Sequence, residues 1–193
     1  MGLSQVLTVC ISTAMVISMS ASAQQPSAPT QPPPPEAVRQ PFDDARALTI
    51  VHFANTAEVE QAKLALQRSK DARVRKLAQT MVVDHGAADK EGMALMVANK
   101  LSITTSPTAK QLSDDADRAL TDLRGKHGAE FDRAYLDVQL QEHTTVLKLI
   151  DDELLPGVRA KEVKLFLGTI RPKIAAHLDH VRQLQAGYAS AAR

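Results

Sequence analysis

Residues 71–100 read DARVRKLAQTMVVDHGAADKEGMALMVANK, and this stretch decides the fold. Val74, Ala78, Met81, His85, Ala88, Gly92 and Leu95 recur at spacings of three and four, which puts them on one face of an amphipathic helix. Asp71 stands where an N-cap belongs. One member of the stripe is out of character. A helix that buries one face fills it with Leu, Val, Ile and Ala, and an imidazole there must be paired, ligated or kept neutral.

Working outward, the same period recurs three more times. A helix over roughly 43–69 opens on Asp43 and Asp44, and its stripe is Leu48, Val51, Asn55, Glu58, Ala62, Ala65 and Leu66. One over roughly 129–154 aligns Leu136, Leu140, His143, Leu147, Ile150 and Leu154, and Pro156-Gly157 ends it. One over roughly 159–186 aligns Val163, Leu167, Ile170, Ile174, His177, Val181 and Leu184. Pro172 inside this last helix predicts a kink. Between 101 and 128 lie a loop (LSITTSP), a shorter helix over about 108–125, and a break at Gly125 and Gly128. No segment alternates with period two, so strands are not expected. The fold class is all-α: a ferritin-like four-helix bundle, whose one longer connection, between the second and third long helices, carries the short extra helix.

Each long helix thus carries one ionisable residue on its buried face: Glu58, His85, His143 and His177. Ferritin-like bundles invite a di-iron reading, which needs a Glu-x-x-His pair on each of two helices. The residues three before the histidines are Val82, Leu140 and Ile174, so that chemistry is disfavoured. Three imidazoles and a carboxylate suit a divalent metal such as zinc. Levels along the bundle constrain the set. Glu58 and His85 lie about 12 and 15 residues from the turn near residue 70, within ~5 Å of one height at ~1.5 Å per residue. His143 and His177 lie about 13 and 20 residues from the Pro156-Gly157 turn, a difference of ~10 Å. That arithmetic predicts two clusters: Glu58 with His85 and His143, and His177 with Tyr135 or Gln139. Asp84-His85 and Glu142-His143 are neighbours in sequence, but neighbours on a helix point about 100° apart, so neither carboxylate orients its own histidine. His180 completes an H-x-x-H pair with His177 but is expected to face solvent. Met81, Met93 and Met96 read as core filler rather than copper ligands.

The N-terminus reads as an export signal. Residues 3–19 are mostly apolar and Ala21-Ser22-Ala23 follows as a cleavage site, although no Lys or Arg precedes the apolar run. Its scattered Ser and Thr argue against a permanent span. The lone cysteine, Cys10, falls inside it, so the mature chain is expected to have no disulfide and no thiolate chemistry. Residues 24–42 hold seven prolines and read as a disordered tether. The bundle domain is expected over 43–187, with a tail over 188–193. The 23 basic and 22 acidic residues balance, and 3% aromatic content without Trp offers no base-stacking platform, so no nucleic-acid partner is implied.

Four stretches carry a resemblance: Phe53–Leu66 (FANTAEVEQAKLAL), Val74–His85 (VRKLAQTMVVDH), Phe131–His143 (FDRAYLDVQLQEH) and Ile170–Leu178 (IRPKIAAHL). Over roughly residues 43–185 the chain resembles the bacterial "domain of unknown function 4142" family. The matching positions are Glu58, Met81, Asp84, His85, Phe131, Asp132, Tyr135, Gln139, His143, Pro172 and His177. The resemblance implies a ferritin-like bundle exported to the periplasm or associated with the outer membrane, and it implies no reaction. Two readings stand. One is a non-catalytic exported bundle, with a role in stress, whose core site takes a divalent metal. The other is a structural or partner-binding bundle whose buried histidines fix packing. No serine-nucleophile, phosphate-loop or dinucleotide motif is present. A protein partner and a homo-oligomer are both left open.

Overall fold

The computed structural model describes residues 43–191. The expected signal segment and the tether lie outside the described residues. Six helical pieces follow in order: α1 (Asp44–Arg68), α2 (Ala72–Ala98), α3 (Pro107–Arg124), α4 (Gly128–Leu149), α5 (Leu155–Gly157) and α6 (Lys161–Ala191). A π-helical turn, Ile150–Leu154, joins α4 to α5. No strand occurs among the described residues. None of these helices is long and apolar enough to cross a membrane.

The helix starts follow from local chemistry. The Asp43 carboxylate accepts from Arg46 N at 2.8 Å, Asp71 from Arg73 N at 2.8 Å, and the Ser106 hydroxyl from Ala109 N at 3.1 Å, each satisfying an orphan N–H of the first turn. Pro107 takes the first position of α3, where a missing N–H costs nothing. Gly128 enters α4 at φ +55°, a conformation that costs glycine little and a β-carbon more.

α1 and α2 form one antiparallel hairpin, and α4 and α6 form another. α1 packs on α4 and α2 on α6, while α3 runs back along α1. The crossover returns the chain to the end from which α2 began, so α2 and α4 point the same way. This is the expected bundle with a long connection carrying an extra helix.

Each end of the bundle is fastened. At one end the Tyr188 hydroxyl donates to Asp71 at 2.8 Å and lies 3.2 Å from Asp132, tying the end of α6 to the starts of α2 and α4. At the other, the Asp44 carboxylate accepts from the backbone N–H of Arg159 (2.8 Å) and Ala160 (3.1 Å), holding the α5–α6 turn against α1.

Two apolar clusters fill the interior, and the polar residues lie between them. Toward the Asp44 end the core is built on Leu48, Ile50, Ile150, Leu154, Phe166 and Leu167. Toward the Tyr188 end it is built on Ala62, Leu77, Met81, Phe131, Leu136 and Val181. Met81 and Met96 are core filler, as expected. α6 continues through Pro172 and extends beyond residue 186 to Ala191.

Candidate functional site

Asn55, Glu58, His85, His143 and His177 are all buried at mid-height, one or two per long helix. The three imidazoles form a nearly equilateral triangle. Their ring centroids are 5.3 Å (His85–His143), 5.2 Å (His85–His177) and 5.5 Å (His143–His177) apart. His177 therefore belongs with the other two histidines, and the level arithmetic that placed it with Tyr135 or Gln139 is corrected. The error came from the turn. Val158 is extended (φ −71°, ψ 145°), and α6 begins only at Lys161, so three residues cross between helices instead of descending. Counted from true helix ends, His143 is fourteen residues before Gly157 and His177 sixteen after Lys161, a difference of ~3 Å.

Each ring has one nitrogen facing an acceptor. His143 Nδ1 lies 3.0 Å from the Gln139 carbonyl and 3.2 Å from Glu58 Oε1. His177 Nε2 is 2.9 Å from Asp84 Oδ2. His85 Nδ1 is 2.9 Å from Asn55 Oδ1. Acceptors require donors, so these three nitrogens carry the ring protons. His85 Nε2 and His177 Nδ1 are left as acceptors, and His143 Nε2 is a third whenever that ring is neutral. His143 Nε2 and His177 Nδ1 face each other at 3.4 Å, and His85 Nε2 is buried without a partner among the described residues. One nitrogen from each histidine lies within 4.8 Å of the others, so the three could hold a metal ion. Two nitrogens bound to tetrahedral zinc at ~2.0–2.1 Å stand about 3.4 Å apart, which is the separation found between His143 and His177.

The carboxylates surround the triangle. Glu58 reaches the outer nitrogen of His143 rather than the centre, and Asp84 orients His177, a histidine on another helix. Tying the far nitrogen of a ligand histidine fixes its tautomer and aim. Burial alone would raise the Glu58 carboxyl, but His143 opposite overrides it and holds it down at about 2. Burial likewise works against charge on His143, and Glu58 reverses that, so its pKa is raised. Burial lowers His85 to about 4 and lowers His177 against the pull of Asp84.

A second polar layer, toward the Tyr188 end, extends from Glu58. Gln139 Nε2 donates to Gln61 Oε1 (3.0 Å), and Gln61 Nε2 donates to Glu142 Oε1 (2.8 Å). Burial, then the Glu58 charge, pushes Glu142 up to about 9. Tyr135 lies here too, its hydroxyl raised by burial and by the charges of Glu58 and Glu142. Tyr135 and Gln139 are thus neighbours of Glu58 rather than partners of His177. His180 is half-buried and outside the metal-capable group. Sequence reasoning did not single out Gln61. Its spacing of three from Glu58 was the available signal.

Fold and site together define an all-helical bundle protein with a buried three-histidine cluster, one ring nitrogen of each histidine lying within 4.8 Å of the others. The chain belongs to the family described as domain of unknown function (DUF4142), whose family model matches residues 26–184. Comparison with curated proteins gives no match. Among solved structures the chain is similar to a DUF305 protein from Streptomyces coelicolor that is described as secreted. The identity is 12% and the TM-score 0.63, over 75% of this chain and 93% of that one. At that identity the likeness is one of fold.

Proposed function

We propose that this protein binds one divalent transition metal per chain through His85 Nε2, His143 Nε2 and His177 Nδ1. The observation that carries the reading is the complete set of outer acceptors. Asn55, Glu58 with the Gln139 carbonyl, and Asp84 each occupy one nitrogen of a different histidine, which leaves the second nitrogen of each ring for a metal within a cluster whose ligand atoms lie within 4.8 Å of one another. A reading without metal leaves His85 Nε2 bare in the interior, while His143 Nε2 and His177 Nδ1, 3.4 Å apart, satisfy each other only when His143 carries a second proton. Three neutral imidazoles suit zinc and its neighbours. The anionic Glu58 and Asp84 supply two negative charges against a divalent ion. A cavity of about 20 Å³, lined in part by Glu58, His85 and His143, adjoins the triangle. It has room for one water-sized fourth ligand. Three protein ligands with a fourth position for solvent is the arrangement that leaves a metal open to exchange or to a small ligand. No catalytic role is assigned to any residue.

The reading includes export. The signal-like residues 1–23 and the secreted description of the structurally similar Streptomyces coelicolor protein support it. The test is direct. The mature domain, made without a polyhistidine tag, is analysed for bound metal and melted with and without chelator. We expect one zinc-class ion per chain and a lower melting temperature after chelation. Sub-stoichiometric metal together with an unchanged melting temperature refutes the reading.

A further inference from the structure

A second cavity, also of about 20 Å³, lies between α1, α2 and α6, with His85 and His177 in its wall. It shares Asn55, His85, Ile170 and Ile174 with the cavity beside His143, so both flank the same residues. The exposed Lys173 stands at its rim. Asn55 is only 5% exposed. Its Oδ1 accepts from His85 Nδ1 at 2.9 Å. A planar amide with its oxygen so engaged turns its NH2 the other way. That nitrogen, Asn55 Nδ2, is buried and has no partner among the described residues. A buried donor left unmade is costly. The amide is neutral at every pH, so its donor does not depend on how the neighbouring groups titrate.

We propose that these cavities admit a small inorganic anion, which takes the open position of the metal and accepts a hydrogen bond from Asn55 Nδ2. The inference rests on the metal reading above and names the class of ligand which that site takes. The divalent ion, the Asn55 donor and the Lys173 ammonium at the rim all favour an electron-rich ligand. Glu58 and Asp84 also line these cavities, but each has an oxygen on a histidine, and the divalent ion offsets their charge. Size follows from volume. At ~10–15 Å³ per water-sized group, each cavity holds one or two heavy atoms, so a ligand that reaches from one to the other has about two or three. Azide has that size, and sulfate is too bulky. The apolar walls, Ala88, Ile170 and Ile174, offer such a ligand no competing donor.

The test uses the mature protein loaded with one zinc, with zinc content measured before and after each titration. Sodium azide is titrated calorimetrically against sodium sulfate of equal ionic strength, and the azide band is followed by infrared spectroscopy in H2O and D2O. We expect saturable binding of one azide per chain, no binding of sulfate, and no azide binding by chelator-treated protein. Asn55→Asp keeps an oxygen for His85 Nδ1 and removes the N–H donors. It is expected to retain zinc and to bind azide about tenfold or more weakly, the worth of one hydrogen bond to a charged group. It is also expected to lose the D2O shift of the bound azide band, which added charge alone would leave in place. Ala88→Leu fills the second cavity without touching Asn55 or a histidine, and is expected to abolish azide binding at full zinc. If Asn55→Asp does not fold, Ala88→Leu and the D2O shift of the wild type decide. Absence of zinc overturns the metal reading and this one with it. One zinc per chain without saturable azide binding overturns this one alone. Equal azide affinity in wild type and Asn55→Asp, or in wild type and Ala88→Leu, also overturns it.

Discussion

Glu58→Gln separates a residue that aims a ligand from one that is a ligand. Glu58 Oε1 sits 3.2 Å from His143 Nδ1, on the side of the ring away from the other two histidines. Glutamine keeps an oxygen that can accept from Nδ1 but removes the charge. Losing an outer-sphere partner of this kind costs about 10–100-fold in metal affinity, or about 1.4–2.8 kcal/mol. At free zinc 100 times the wild-type Kd, binding stabilises the wild type by about 2.7 kcal/mol, and the variant by only about 0.4–1.4 kcal/mol. At ~2–4 °C per kcal/mol for a domain of this size, the zinc-dependent rise in melting temperature shrinks from about 5–11 °C to about 1–6 °C. Calorimetry with and without zinc reads the shift, and competition with a chelating indicator reads the affinity. His143→Ala, which removes a ligand, is expected to lose stoichiometric zinc altogether. If Glu58→Gln loses zinc as completely as His143→Ala, Glu58 is itself a ligand and the reasoning fails. If its affinity is unchanged, the contact with His143 does not tune the metal.

Three further outcomes follow from the same geometry. In chelator-treated protein, Glu142 is raised from its ordinary 4.5 to about 9, so its contribution is fully present below 4.5 and lost as pH climbs toward 9. His143, raised above 6.5, adds loss in the upper part of that window. Urea denaturation should therefore show stability falling between pH 6.5 and 8.5, by up to about 3 kcal/mol from Glu142, and a flatter profile in Glu142→Gln. Tyr188→Phe removes the hydroxyl that joins Asp71 and Asp132, and should cost about 1–2 kcal/mol by chemical denaturation while leaving zinc at one per chain. Gly168→Ala places a β-carbon in open space on an exposed turn of α6, and should raise stability by about 0.5–1 kcal/mol; no gain in melting temperature counts against that reading of the helix.

The bundle was legible because its period is carried by long runs. Val74 to Leu95, and Val163 to Leu184, repeat often enough to mark helix, face and length without any tertiary information. The polar intruders were legible for the same reason, since Glu58, His85, His143 and His177 each interrupt such a run. Two things were not. The level of His177 depended on how many residues the chain spends crossing at Val158–Ala160, and the residue pattern there does not report rise. The role of Asp84 depended on a partner 93 residues away in sequence, on a helix whose rotation no local spacing reveals. The fastening at Tyr188 would have corrected the first error. His85 lies fourteen residues from Asp71, His143 eleven from Asp132, and His177 eleven from Tyr188, and those three anchors bond at one height.

The crossover through α3 divides the chain into two local hairpins, and the histidines are divided with it. His85 comes from the first, together with Asn55, Glu58 and Asp84, while His143 and His177 come from the second. Each hairpin can assemble from contacts near in sequence, which are quick to form. Neither half alone can present three nitrogens to one ion. A metal bound at the triangle therefore recognises the docked pair and not its parts, and acts as a clasp across the seam that no short turn closes. Refolding in the presence of zinc should accordingly slow the parting of the hairpins more than it speeds the formation of either one.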